Sequence, residues 1–293
     1  MCGPEAPLAN GVMDALSKEN IKIVGPTAQL AQLESSKGYT RDLWKKYNIN
    51  AAPSYYKFDE DCDRTELLNV LEKMHPNYVI KADGLMGGKG VKVFEEHLHN
   101  NQEALEYCEQ IFALRQPLVI EEKLVGVEFS LISLTDGDSF VHLPAVQDHK
   151  RAYDGDLGPN TGGMGTYSDA NGLLPFLNQQ DIDDAQKLNE LTVNSLKKET
   201  NQSFCGFLYG GFMLTKNGVK LIEYNVRFGD PEAINLIPLI QTDWIELLFA
   251  MADNNLQNVK IKIKKLATVC LYVVPKGYPK SPEKGPICLS QQL

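Results

Sequence analysis

Apolar and polar positions alternate most sharply from Leu221 to Phe228, and a period of two predicts a strand. Ile222, Tyr224 and Val226 fall on one face of that strand and Glu223, Asn225 and Arg227 on the other. Phe207 to Leu214 is its predicted hairpin partner, turning over Lys216-Asn217-Gly218. After Gly229, Asp230-Pro231-Glu232 has the N-cap, first-turn proline and early acid of a helix start.

Elsewhere the pattern alternates between helical and strand periods. A turn at 3–8 precedes helical spacing from Leu8 to Ser17, and Ile21 to Val24 reads as a short strand before Gly25-Pro26. Thr27 is the expected cap of a further helix. Ser35-Ser36-Lys37 leads into a helix over 41–47, and a second is predicted over 64–74. Strands are expected at 78–81 and 91–94, a helix over 103–114, and strands at 118–121 and 127–134. Asp136-Gly137 suits a hairpin turn. The 181–198 helix opens with acids and closes with two lysines, as the helix dipole favours. Trp244 to Asp253 is a further helix, and the apolar run from Leu266 to Val274 predicts a strand buried on both faces. The fold class is α/β (α+β), with no internal repeat and no low-complexity tract.

The exception is Gln147 to Tyr167, a polar stretch with five glycines, charges of both signs and an amide between apolar elements. Long loops without their own secondary structure are usually functional or disordered, and this one reads as ordered substrate-binding backbone.

Composition narrows the class. At 293 residues, 43% hydrophobic and 23% charged, the chain has the make-up of a globular enzyme with more than one module. A formal charge of −9 argues against nucleic acid as the main partner. The longest apolar run falls short of the ~20 residues a membrane helix needs, so no membrane association is expected. The six cysteines form no C-x-x-C pair, and free thiols in the cytoplasm are expected.

The candidate chemistry begins at the alternating strand. Glu223 and Asn225 offer hard oxygen ligands suited to Mg²⁺, and Arg227 offers two parallel donors for a phosphate. Taken alone, a half-exposed strand with one Glu–Arg ion pair is the more ordinary reading. Gly84-Leu-Met-Gly87-Gly88-Lys89-Gly90 is a glycine-rich phosphate candidate flanked by strands. It lacks the spacing and following helix of a Walker A loop, and a flexible lid or a plain surface turn both fit it. Lys81 ends a strand pointing at this loop, and Lys37 stands at the start of a helix. Glu121-Glu122, with Glu128 further on, reads equally as an adenine-reading hinge with a ribose ligand or as surface carboxylates. His97-x-His99 lacks further ligands, and Trp44, Tyr55 and Tyr56 read as packing. No Ser-His-Asp or Cys-His set has supporting context.

Taken together, these residues resemble the ATP-grasp ligases, and within them the phosphoribosylamine–glycine ligase (glycinamide ribonucleotide synthetase) family. The resemblance is carried by G-P-E-A-P-L at 3–8, G-P-T at 25–27, S-K at 36–37, K-A-D-G-L at 81–85, G-K-G-V at 88–91 and I-E-E at 120–122. It continues through Q-D-H-K-R at 147–151, G-P-N-T-G-G-M-G at 158–165 and N-V-R-F-G-D-P-E at 225–232. It implies an ATP-grasp fold with a partial N-terminal Rossmann-like α/β segment. The implied domains are an N-terminal remnant at 1–34, an ATP-grasp domain at 35–255 with a lid subdomain near 54–124, and the start of a C-terminal domain at 256–293. Relative to the family, the chain is expected to be truncated at both ends, with completion by another polypeptide a possibility. Met86-Gly87 and Val226 depart from the family's usual smaller residues.

The resemblance also implies roles. Lys37 and Lys81 would contact the ATP phosphates, Lys81 and Arg227 acting on the transferred phosphoryl group, with Gly84, Gly87, Gly88, Lys89 and Gly90 in the lid. Glu121, Glu122, Lys123 and Leu124 would hold adenine and Glu128 the ribose. Glu223 and Asn225 would bind Mg²⁺ or Mn²⁺. Gly3, Pro4, Glu5, Pro7, Asp148, Lys150, Asn160, Thr161, Gly162, Gly163, Met164 and Arg227 would shape the sites for glycine and 5-phosphoribosylamine. The implied reaction joins these two through a glycyl phosphate, giving glycinamide ribonucleotide, ADP and phosphate in purine biosynthesis. Two rival readings stay open: a non-catalytic nucleotide-binding fragment, and an ATP-grasp ligase with a different substrate.

Overall fold

The computed structural model describes residues 4–86, 90–155 and 157–285. The chain opens with α1 (Glu5–Ala9), α2 (Val12–Leu16), α3 (Gln32–Ser35) and α4 (Lys37–Lys46). An outer unit follows: β1 (Tyr55–Phe58), α5 (Arg64–Met74), β2 (Tyr78–Ala82), β3 (Val91–Val93), α6 (Asn101–Ala113) and β4 (Leu118–Glu122). Next come β5 (Gly126–Thr135), β6 (Phe140–His142), β7 (Gln147–Asp148), β8 (Arg151–Tyr153), β9 (Leu157–Asn160) and β10 (Gly165–Ser168). The last elements are α7 (Gln179–Thr200), β11 (Gly206–Thr215), β12 (Gly218–Asn225), α8 (Glu232–Leu236), α9 (Trp244–Ala252) and β13 (Thr268–Leu271).

Two antiparallel four-stranded sheets carry the architecture. The central sheet has the order β12-β11-β5-β6, and the outer one β1-β4-β2-β3. On β2 and β4, Tyr78, Ile80, Ala82, Leu118 and Ile120 join the core under α5 and α6. Strand alternation therefore turns Val79, Lys81, Val119 and Glu121 to the opposite face. On one face of the central sheet, Leu221, Tyr224 and Val226 pack with Trp44 of α4 and Val193 and Leu196 of α7. On its other face, Ile132, Leu134 and Phe207 pack with Leu247 and Met251 of α9. Among the described residues no helix is long and apolar enough to cross a membrane.

Several expectations are corrected. The 3–8 turn is helical from Glu5, because Pro7 stands in the first turn, where no intrahelical N–H is required. The single helix expected from Leu8 to Ser17 breaks at Gly11, whose φ of 79° is left-handed. Ile21 to Val24 forms no ladder among the described residues, and Thr27 opens a turn rather than a helix. α4 starts at Lys37, because the Ser36 side chain accepts the Tyr39 N–H at 3.0 Å. α8 starts at Glu232, with Pro231 in the cap position and no side-chain cap; Asp230 instead accepts from the Tyr272 hydroxyl at 2.6 Å.

The Leu266–Val274 run is the largest miss. β13 spans Thr268–Leu271 at the edge of a three-stranded sheet (β13-β10-β7), and Val269 and Leu271 are each 79% exposed. Its continuous apolar character predicts two covered faces, whereas this strand has one. The 147–167 stretch is not a structureless loop: β7 pairs with β10 and β8 with β9, so it is a bent hairpin built from polar residues.

The alternating strand also differs in register. Gly211 pairs with Glu223 but Phe212 pairs with Leu221, leaving Ile222 as an extra residue. Leu221 and Tyr224 both enter the core, while Ile222 and Glu223 line the same cavity. Ile222 thus leaves the face it was expected to share with Tyr224. β12 also stops at Asn225 rather than Phe228, because the Glu34 carboxylate takes the Val226 N–H at 2.8 Å.

Trp44 is fully buried and meets Tyr224 edge-on at 6.0 Å between ring centres, joining α4 to β12. Trp44→Ala is expected to destabilise the fold by about 3–5 kcal/mol, read by urea unfolding. A loss below about 1 kcal/mol would show that this ring does not hold α4 to the sheet.

Candidate functional site

The site forms where the start of α4, the ends of β2 and β4, the start of β5 and the bulged part of β12 converge. The N–H of Gly38 donates to Asp83 at 3.2 Å and the Ser36 hydroxyl donates to the same carboxylate at 3.0 Å. A Cβ on Gly38 would stand 2.6 Å from the Asp83 carboxylate and would push that side chain aside. The Lys37 ammonium reaches the carbonyls of Ala82 and Gly84, 3.1 Å from each. Burial lowers the pKa of Lys37, with Glu223 opposing that effect.

Lys81 and Glu121 occupy the inward face of the outer sheet and pair at 2.7 Å. Arg41, one helical turn beyond Lys37, also grips Glu121, with Nε 2.9 Å from Oε1 and Nη2 3.2 Å from Oε2. Burial alone would raise the pKa of Glu121, but Arg41 and Lys81 outweigh it and hold the carboxyl at about 2. Glu122 accepts from Ser54 at 3.2 Å, and Lys123 donates to the Phe94 carbonyl at 3.4 Å. The N–H groups of Glu122 and Lys123 donate to Ser54 and Asn77, and Leu124 follows in the link to β5.

Glu223 lines a narrow cavity of about 10 Å³ with Ile222, Glu128, Asp148, Lys150 and Tyr209. Asn225 pairs across the ladder with Tyr209, so it points to the same side as Glu223. Burial works against the charge of Glu223, yet Lys150, Lys81, Lys37 and Arg41 bring its pKa below the usual glutamate value. No described side chain hydrogen-bonds to it; the cations act at a distance. A carboxylate so placed, with an amide beside it, fits a hard divalent cation. Among the described residues no three His, Cys, Asp or Glu side chains gather as a metal cluster.

Lys150 pairs with Glu128 at 3.2 Å. Burial opposes its charge, but Glu128, Glu223 and Asp148 raise its pKa above the ordinary lysine value. Asp148 has a buried Oδ1 without a hydrogen bond. Burial first and Glu232 second push its pKa up to about 7. Thr161 donates its N–H and hydroxyl to the Lys150 carbonyl at 2.7 and 2.9 Å, and the Met164 N–H donates to His149 at 2.8 Å. These bonds hold the arms of the bent hairpin together; Asn160 lies at its exposed edge. Gly163 has a φ of 130°, and a Cβ there would meet Pro231 at 2.8 Å and Asp148 at 3.0 Å.

Arg227 leaves the strand and lines a second cavity of about 630 Å³ with Pro4, Glu5, Gly162 and Asp230. Its Nε lies 3.2 Å from Glu5 and 3.3 Å from Glu34. Alternation put Arg227 on one face with Glu223, but the two side chains line different cavities. Pro7 sits on α1 away from both cavities. Gly3, Gly87, Gly88 and Lys89 lie outside the described residues.

Sequence reasoning missed Arg41, Asp83 and Glu34. Arg41 stands four residues after Lys37 in a helix, and that shared face was the available signal; nothing in the spacing pointed to Glu34. Ser133, His142 and Glu190 do align, at 2.8 and 3.1 Å, but Ser133 is fully buried and no substrate reaches it.

Solved structures share this architecture at low identity. D-alanine–D-alanine ligase from Bacillus anthracis is 17% identical with a TM-score of 0.60, covering 85% of this chain and 76% of that one. N5-carboxyaminoimidazole synthase from Aspergillus clavatus is 16% identical with a TM-score of 0.63, covering 90% and 63%. The fold is that of the ATP-grasp proteins. Residues 35–233 match the family model of the phosphoribosylglycinamide synthetase ATP-grasp (A) domain, and residues 1–34 that of the phosphoribosylglycinamide synthetase N domain. The chain belongs to the phosphoribosylglycinamide synthetase family. It is 48% identical over 97% of its length to phosphoribosylamine–glycine ligase of Methanococcus vannielii, and 46% identical over 96% to that of Methanosarcina acetivorans. The Thermotoga maritima enzyme structure is 35% identical with a TM-score of 0.75, covering 89% of this chain and 64% of that one. The chain spans 65% and 63% of the lengths of the two archaeal relatives.

Burial raises the pKa of Glu34 to about 7, against the lowering effect of Arg227 and the Val226 N–H. A raised acid binds more protons folded than unfolded, so its contribution is full below its usual value of 4.5 and falls away as pH rises through 7. Asp148 acts in the same direction from 3.8 to about 7. Thermal midpoints should therefore fall across that window, with a shallower fall in Glu34→Gln. An unchanged slope in the variant would remove Glu34 as a source.

Proposed function

We propose that this chain is an ATP-dependent carboxylate–amine ligase that joins glycine to 5-phosphoribosylamine through a glycyl phosphate. The observation that carries the reading is Glu223: a carboxylate without a described partner, beside Asn225 and under the influence of Lys37, Lys81 and Lys150. Such a face matches a triphosphate presented with a divalent cation.

The roles follow from the placements. Lys37 and Lys81 would meet the phosphates, and the glycine-rich segment after Ala82 would cover them. The Leu124 N–H and the hinge carbonyls would face adenine, with Glu128 beside the ribose. Glu223 and Asn225 would hold Mg²⁺ or Mn²⁺, which when bound offsets negative charge on the phosphates. The cavity beside Glu223 admits a bare ion or one water.

Glycine's carboxylate is a poor acyl donor because its charge repels a nucleophile. An oxygen of that carboxylate attacks the γ-phosphorus, the bond to the β-phosphate oxygen breaks, and ADP leaves. The amine nitrogen of phosphoribosylamine then attacks the acyl carbon and phosphate departs. Asp148, with its pKa near 7 and a free buried oxygen, suits the proton the amine releases. Arg227, Glu5 and Gly162 would frame the anionic substrates in the larger cavity. Excluding water protects the acyl phosphate from hydrolysis.

Incubating the chain with ATP, Mg²⁺, glycine and freshly generated phosphoribosylamine should yield glycinamide ribonucleotide and ADP in equal amounts. Nucleotide binding without amide product would remove the ligase activity from this chain; turnover only with another amine would replace the substrate assignment. Glu223→Ala should abolish Mg²⁺-dependent turnover while far-ultraviolet circular dichroism stays unchanged. Near-normal rates would remove the metal assignment.

A further inference from the structure

We propose that Arg41 is a positioning residue of the nucleotide site: one guanidinium holds both the Glu121 carboxylate that carries Lys81 and the bulged Ile222 carbonyl next to Glu223. The proposal rests on the functional reading above and extends it to a residue that reading does not use. Arg41 is 2% exposed and touches neither cavity. Its Nη2 donates to the Ile222 carbonyl at 2.7 Å while also reaching Glu121 at 3.2 Å. Lys81 approaches the same two acceptors, Glu121 at 2.7 Å and the Ile222 carbonyl at 3.5 Å. Two cations thus share one carboxylate and one carbonyl, leaving a net positive charge on the inward face of the outer sheet.

That excess matters for phosphate binding. Without Arg41, Glu121 and Lys81 form a one-to-one pair whose charges cancel, and Lys81 has little left for a phosphate. The Ile222 carbonyl also loses its shortest donor. Ile222 is the extra residue of the bulge, so its orientation sets that of Glu223. A purely structural contact has no need of three charges here. Well-packed apolar residues replace buried ion pairs at little or no cost in stability.

The test is calorimetric titration of the chain with a non-hydrolysable ATP analogue in Mg²⁺, below the unfolding temperature of each variant. Arg41→Met should weaken binding about tenfold or more with the number of sites unchanged. Arg41→Lys, whose ammonium can still pair with Glu121, should stay within about threefold of the wild type. A variant that is only less stable shows fewer sites and an unchanged Kd, and that result overturns the proposal. Equal affinity in wild type and Arg41→Met overturns it as well. If Arg41→Met does not fold, Arg41→Gln takes its place, with the same loss expected because the charge is gone, and unchanged affinity again overturning it. A wild-type chain that binds no nucleotide removes the functional reading itself, and this inference with it.

Discussion

The Glu121 carboxylate sits at the junction on which the site depends. It is 1% exposed and belongs to β4, yet its partners come from α4 and from β2. A buried charge is costly to desolvate and persists where cations and donors surround it. Here Arg41 and Lys81 keep it ionised far below neutral pH. Removing one partner from such a pair typically costs about 3–5 kcal/mol, since a charge is left buried and uncompensated. The same guanidinium reaches the backbone of β12. One electrostatic cluster therefore ties the outer sheet, the first long helix and the central sheet together at the place where their functional side chains meet.

A second constraint works on the other side of β12. The Glu34 carboxylate takes the N–H of Val226, ends the strand at Asn225 and pairs with Arg227 as the chain turns away. The strand thus sends Glu223 to one cavity and Arg227 to another, with Asn225 on the same side as Glu223. The bulge at Ile222 acts a few residues earlier. Both are departures from regular pairing, and both lie within reach of the residues assigned to chemistry. An edge strand such as β12 tolerates them because only β11 pairs with it.

Much of the architecture could be read from the chain. The β11–β12 hairpin, its turn, the Asp136-Gly137 turn and the long α7 follow from local period and end chemistry. Those signals act within a few residues. The polar hairpin at 147–168 escaped because its pairing is carried by backbone groups, which leave no alternation in the side chains. β13 escaped for the opposite reason: its apolar run signals burial, but only one of its faces is covered.

What the sequence by itself determined is the set of ingredients. It supplied the fold class, Glu223 and Asn225 on one face, the lysines at 37 and 81 and the acids at 121 and 128. Alternation and motif spacing are local properties of a chain. Only the tertiary structure decided which of these share a cavity, that Arg227 does not join Glu223, and that Arg41 and Glu34 contact β4 and β12 beside them. Arg41 is 80 residues from Glu121 in sequence, and Glu34 is 192 from Val226. Charges that far apart along the chain meet only after the sheets have packed, and burial then gives each pair its strength.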